Sequence, residues 1–97
     1  MTITVPVFHP GEVLREEYLV PLGMSAGVLA RRLNVPRTRI ERLVKQTQPV
    51  TADTALRLAR FFDTTPNYWL NMQAAFDLEQ QAITLADELR QIEVLAA

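Results

Sequence analysis

Cysteine is absent from the 97 residues, which excludes a disulfide scaffold, a thiolate nucleophile and any cysteine metal site. Histidine occurs once, at His9. With no second imidazole beside it, it suits a helix start or the core better than a metal ligand. The three glycines, Gly11, Gly23 and Gly27, are too scattered to cradle a phosphate, and no nucleophile-elbow glycines surround Ser25. No run of about eighteen apolar residues exists to span a bilayer, and no basic segment leads an apolar run at the amino terminus. The expectation is a cytoplasmic protein that is not an enzyme, needs no metal or other cofactor and has no membrane contact.

What is present is enough hydrophobic sequence, 48% of the chain against 22% charged, for one domain with a modest core. The pattern within it is helical. From Ser25 to Phe62 it predicts two helices joined by a tight corner, followed by a third. Ser25 can cap the first of these helices, with Val28, Leu29 and Leu33 on one face. Asn34 tolerates the left-handed conformation that ends a helix, and Pro36 biases Val35 to an extended one. The second helix, Pro36 to about Lys45, buries Ile40, Leu43 and Val44. It therefore turns Arg37, Thr38, Arg39, Glu41 and Arg42 outward.

Charge distribution gives this corner its meaning. Between Arg31 and Arg60 lie eight of the ten cations (Arg31, Arg32, Arg37, Arg39, Arg42, Lys45, Arg57, Arg60) against two acids, Glu41 and Asp53. A concentrated basic face on a chain of net charge −1 is a phosphate-binding footprint, so 25–45 reads as a DNA-binding helix-turn-helix. Side chains at the start of a recognition helix enter the major groove. Arg37, Thr38, Arg39 and, one turn later, Arg42 are the base-reading candidates, and each arginine-guanine pair is worth about 1 to 3 kcal/mol of discrimination. Lys45, Gln46, Thr47 and Gln48, at the helix end and in the following turn, are placed for phosphates, with Arg31 or Arg32 as helpers.

Elsewhere, residues 1–8 suggest a short extended arm, and His9-Pro10-Gly11-Glu12 opens a helix to about Leu19 that buries Val13, Leu14 and Tyr18, with Pro21 as its stop. Thr51 caps a helix through Phe62, whose Ala55, Leu58, Ala59 and Phe62 close the core. Thr65-Pro66 starts another, with Trp69, Met72 and Phe76 facing inward. The carboxyl-terminal helical region 66–97 carries Leu78, Ala82, Leu85, Leu89, Ile92 and Ala96 at coiled-coil-like intervals. Leu78, Leu85, Leu89 and Ile92 are thus candidates for a dimer or partner contact. From Asp63 onward, six acids face one arginine, which would repel DNA and suit a basic protein.

The order Ser25, Leu29-Ala30, Arg32-Leu33, Val35, Ile40, Thr51, Ala55-Leu56, Leu58-Ala59 and Phe62 resembles the lambda-repressor-like, or Cro/C1-type, helix-turn-helix domain. Its flanks, His9-Pro10-Gly11-Glu12, Leu14 to Leu19, Pro21-Leu22-Gly23, Thr65-Pro66 and Tyr68 to Gln73, are similar to the HigA antitoxins of bacterial toxin-antitoxin pairs. That resemblance covers roughly residues 9 to 80. It implies an all-α, five-helix domain with an extended carboxyl-terminal helix. It also implies an antitoxin that neutralises a small basic ribonuclease toxin by direct binding and, as a homodimer, represses its own operon at a palindromic operator with half-sites about 10 base pairs apart. Two positions depart from the pattern: Ala26 stands where related domains often carry glutamine, with Gly27 weakening the same helix start, and Pro36 replaces the usual small polar residue before the recognition helix, removing a backbone donor that could have met a phosphate. A stand-alone repressor of phage type, without a toxin, and a protein-interaction adaptor built on the same scaffold are the alternatives.

Overall fold

The computed structural model describes residues 7–96, so the arm expected at residues 1–8 lies almost wholly outside the described residues. Every regular element among them is a helix. The first, α1, runs continuously through Pro10–Val13, a π-helical stretch Leu14–Leu19, and Val20–Leu22. Then come α2 (Ala26–Leu33), α3 (Arg37–Val44), α4 (Ala52–Phe62), α5 (Pro66–Thr84) and a short α6 (Ala86–Arg90). Five helices match the sequence expectation and α6 is a sixth.

The capping residues behave as their chemistry dictates. Ser25 Oγ accepts the Val28 N–H at 3.1 Å, Thr51 Oγ1 that of Thr54 at 3.3 Å and Thr65 Oγ1 that of Tyr68 at 3.2 Å. Asn34 ends α2 at φ 58°, in the left-handed conformation. Pro36 precedes α3 as its extended cap and lies outside the helix.

Pro21, expected as a stop, lies inside α1. The stretch before it is wound with i to i−5 bonds, the Val20 N–H reaching Arg15 O. A wider turn leaves room for the proline ring and strands no donor, since proline has none. The true stop is Gly23, left-handed at φ 60°.

The core gathers Leu14, Leu19, Leu29, Leu33, Ile40, Leu43, Val50, Leu58 and fully buried Trp69. An aromatic group seals one side: Tyr18 lies 4.7 Å from Phe62 and 5.3 Å from Trp69, whose indole N–H donates to Thr64 Oγ1 at 2.9 Å. At Gly11, α1 touches the end of α3 so closely that a Cβ would lie 1.8 Å from Leu43 O.

The carboxyl-terminal seam differs from the sequence expectation. The helix breaks at Leu85 (φ −95°, ψ 5°), just after the consecutive β-branched pair Ile83-Thr84, and residues beyond Arg90 are not helical. Leu78, Leu85, Leu89 and Ile92 therefore do not share one continuous helical face. Leu78, Leu89 and Ile92 are exposed, as are Ile83, Val94 and Leu95. This projecting end extends the molecule to 53 Å along its longest axis.

Candidate nucleic-acid interface

α2 and α3 form the helix-turn-helix, and α3 presents one face outward. Ile40 and Leu43 are buried, which turns Arg37, Thr38 and Arg42 into solvent. The Arg37 side chain is 74% exposed and pairs with Glu41 one turn along the same helix. Exposed pairs of this kind are worth little, so the guanidinium is readily given up to a better acceptor. Arg42 has no acidic partner among the described residues and stands free.

Arg39 is differently placed. Its Nη1 lies 2.6 Å from Asp53 Oδ1, and Arg57 Nε approaches the same oxygen at 2.8 Å. Hydrogen bonds from Arg57 and then Arg39 hold the Asp53 carboxyl below its usual range. This charge triad ties α3 to α4. Arg57 also donates to Leu33 O, the last carbonyl of α2, at 2.8 Å. So two cations of the basic stretch, Arg39 and Arg57, are drawn onto Asp53 and brace the motif.

The turn after α3 is set by Gln46, at φ 63°. It brings the Thr47 N–H to Arg42 O at 2.9 Å, and the Thr47 hydroxyl donates to the same oxygen at 3.1 Å. Lys45 and Gln46 remain fully outward, while Gln48 is half-buried. The Thr47 hydroxyl hydrogen is spent within the turn.

Three supports were missed in sequence, and a fourth, His9, was expected at a helix start or in the core. Arg15, on α1, donates to Val44 O at 2.7 Å, placing a cation on the negative end of α3. Gln73 is buried: its Oε1 accepts the Val50 N–H at 2.8 Å and its Nε2 donates to Asp77 at 2.9 Å, fixing the loop behind α3 to α5. His9 caps α1, its Nδ1 accepting the Gly11 N–H at 2.9 Å. Gly27 has a use that helix propensity hides, because a Cβ there would lie 3.0 Å from Arg37 Cδ. It makes room for the stem of Arg37, the first outward-facing arginine of α3.

A helix-turn-helix family model matches residues 14–69, which span α2 to α4 and their packing partners. The antitoxin HigA of Pseudomonas aeruginosa, solved with the higBA promoter, superposes with a TM-score of 0.89 at 34% identity, over 94% of this chain and 100% of that one. The chain belongs to the Cro/C1-type helix-turn-helix family, in its HigA branch. Other relatives agree with this placement. Virulence-associated protein I of Dichelobacter nodosus is 53% identical over 75 residues, which make up 77% of this chain and 69% of that protein. The antitoxin GraA in complex with its operator is 40% identical, with a TM-score of 0.88 over 100% of this chain and 99% of that one. Among the described residues of this HigA-branch chain, no helix is long and apolar enough to cross a membrane.

Proposed function

We propose that this chain is a DNA-binding antitoxin that, as a dimer, represses its own operon and neutralises a partner toxin by direct contact. It acts by binding and not by catalysis, on DNA in the cytoplasm. The observation that carries this is the free face of α3. Arg37, Thr38 and Arg42 point outward from a helix that Arg15, Arg57 and the Asp53 triad hold in place.

Arg37, Thr38 and Arg42 read bases in the major groove, while Lys45 and Gln46 hold phosphates. Arg39 serves chiefly as a brace through Asp53. Thr47 shapes the turn, and Gln48 adds a contact from its half-buried position. A basic toxin finds acidic surface at Glu16 and Glu17 of α1, beside exposed Val20 and Leu22.

Fluorescence anisotropy on the chain's own upstream duplex and on a scrambled one, each across a salt series, tests this. The native duplex should be preferred. Arg42→Ala should remove about 1 to 3 kcal/mol of that preference, a loss of about fivefold to 150-fold. Equal binding to both duplexes, unchanged by the substitution, would sink the assignment.

A further inference from the structure

Behind the turn that follows α3 lies a polar cleft of about 480 Å³. The turn lines it with Gln46, Thr47 and Gln48, α5 with Gln73, Phe76 and Asp77, and the start of α1 with His9. This turn carries the side chains assigned above to phosphates, and its backbone is tied down from within the cleft. Buried Gln73 accepts the Val50 N–H on Oε1 at 2.8 Å and donates from Nε2 to Asp77 Oδ1 at 2.9 Å. Asp77 therefore decides which end of the carboxamide faces Val50, because only the amino end can donate to a carboxylate.

His9 bears on the same carboxylate. Its Nδ1 accepts the Gly11 N–H at 2.9 Å, and its ring packs edge-to-face with Phe76, centroids 5.0 Å apart. Among the described residues, the charged groups that act on it are Asp77 on α5 and Glu12 on its own helix. Both favour the imidazolium, but burial opposes it more strongly and lowers the pKa from 6.5. The turn after α3 adds only the uncharged Gln46, Thr47 and Gln48 to the cleft. A protonated ring carries hydrogen on both nitrogens. It can no longer accept the Gly11 N–H, and it gains a donor for a carboxylate.

We propose that His9 acts through Asp77 and the positioning residue Gln73 as an acid-sensitive control on the phosphate-holding turn, so that the operator is released when the ring takes up a proton. The imidazolium competes with the Gln73 amide for Asp77, and a charge-assisted hydrogen bond is roughly twice as strong as a neutral one. With Asp77 drawn to His9, the Gln73 carboxamide loses the contact that orients it and the Val50 N–H loses its anchor. The sign is the reverse of the general electrostatic one, since acid adds positive charge to the chain and by itself strengthens binding to phosphates. The proposal rests on the repressor function above and adds a regulator of that same site.

His9 is the only histidine, so proton NMR follows its titration directly, in the full chain free and bound to its own upstream duplex. A proton that releases the operator is, by linkage, a proton that the operator releases. The His9 pKa should therefore be lower in the complex. Anisotropy at constant salt should show affinity for the native duplex falling about threefold to tenfold as pH drops from about 7.5 to about 5.5. Binding to a scrambled duplex should not fall, which separates release from unfolding. His9→Asn keeps a capping acceptor without titrating, and Asp77→Asn keeps an acceptor for Gln73 without the charge that draws the imidazolium. Both should abolish the acid loss. The proposal is overturned by the same His9 pKa free and bound, by an acid loss undiminished in either variant, or by an equal fall on the scrambled duplex. A chain with no preference for its own duplex at neutral pH defeats the repressor function instead.

Discussion

Gly11 offers the sharpest test of how the recognition helix is held. A methyl group there would lie 1.8 Å from Leu43 O, 2.7 Å from Leu43 C and 3.1 Å from the His9 ring nitrogen. Carbon contacts are most favourable near about 3.5 Å, so α1 and α3 would have to part by roughly 1.7 Å. The obstacle is backbone and cannot rotate aside. Separation would also draw Arg15 away from Val44 O, removing the cation from the end of α3. Overpacking of this kind costs about 3 kcal/mol. For a domain of this size that is a fall in Tm of roughly 12 to 24 °C. Gly23→Ala is the control, because there the conformation, at φ 60°, is demanding while nothing lies within 4 Å of the added methyl. Its cost should be about 1 kcal/mol. Thermal unfolding followed by circular dichroism compares the two. A Gly11→Ala chain melting within about 4 °C of wild type, or a Gly23→Ala chain melting below the Gly11→Ala chain, would refute the reasoning.

Gly27→Ala should separate stability from function: alanine favours the helix by up to about 1 kcal/mol, while its methyl displaces the Arg37 stem. A higher Tm with weaker operator binding is expected, and an unchanged operator affinity would remove the role given to Gly27. His9 should make stability depend on pH. Burial lowers its pKa from 6.5, partly offset by Asp77 and Glu12, so the folded state favours the neutral ring that accepts the Gly11 N–H. The stabilisation is therefore complete above 6.5 and lost as pH falls below it, because the unfolded chain takes up the proton first. Urea midpoints across that range should decline in wild type and flatten in His9→Asn, which keeps a capping acceptor without titrating. Finally, each neutralised phosphate contributes about −0.9 to the slope of log K against log salt. Lys45→Gln should reduce that slope by about one, whereas Arg39→Gln, whose charge already faces Asp53, should leave it nearly unchanged.

Local chemistry made much of this legible in advance. Ser25, Thr51, Thr65 and Asn34 are short-range devices whose partners lie within a few residues, and each is found where its chemistry puts it. The buried faces of α2, α3 and α4 follow from the 3.6-residue period for the same reason. Pro21 misled because a proline's effect depends on the winding before it, and π-helical winding leaves no periodic trace in so short a stretch. Within the candidate interface, the outward placement of Arg37, Thr38 and Arg42 was recoverable from periodicity alone. The fates of Arg39 and Arg57 were not, since Asp53 lies 14 residues from the first and Leu33 lies 24 from the second. Gln73 looked like an ordinary polar residue of α5, and only the fold brings the Val50 N–H to it.

The arginines of this chain therefore do three separate kinds of work, and composition counts them as one. Arg15 and Arg57 each satisfy the terminal carbonyl of a neighbouring helix, where a cation also meets the negative end of the helix dipole. Arg39 and Arg57 share Asp53 and so lock α3 against α4. Only the remainder are left for ligands. This division is costly in local charge, since it spends cations that could have met phosphates, but it fixes the helix that carries Arg37 and Arg42. A groove-reading side chain is useful only if its Cα is already positioned to within a fraction of an ångström, because ordering it on binding would subtract from affinity. If Arg42 reads a base as proposed, its specificity depends on Arg15 and Asp53, which need never touch DNA.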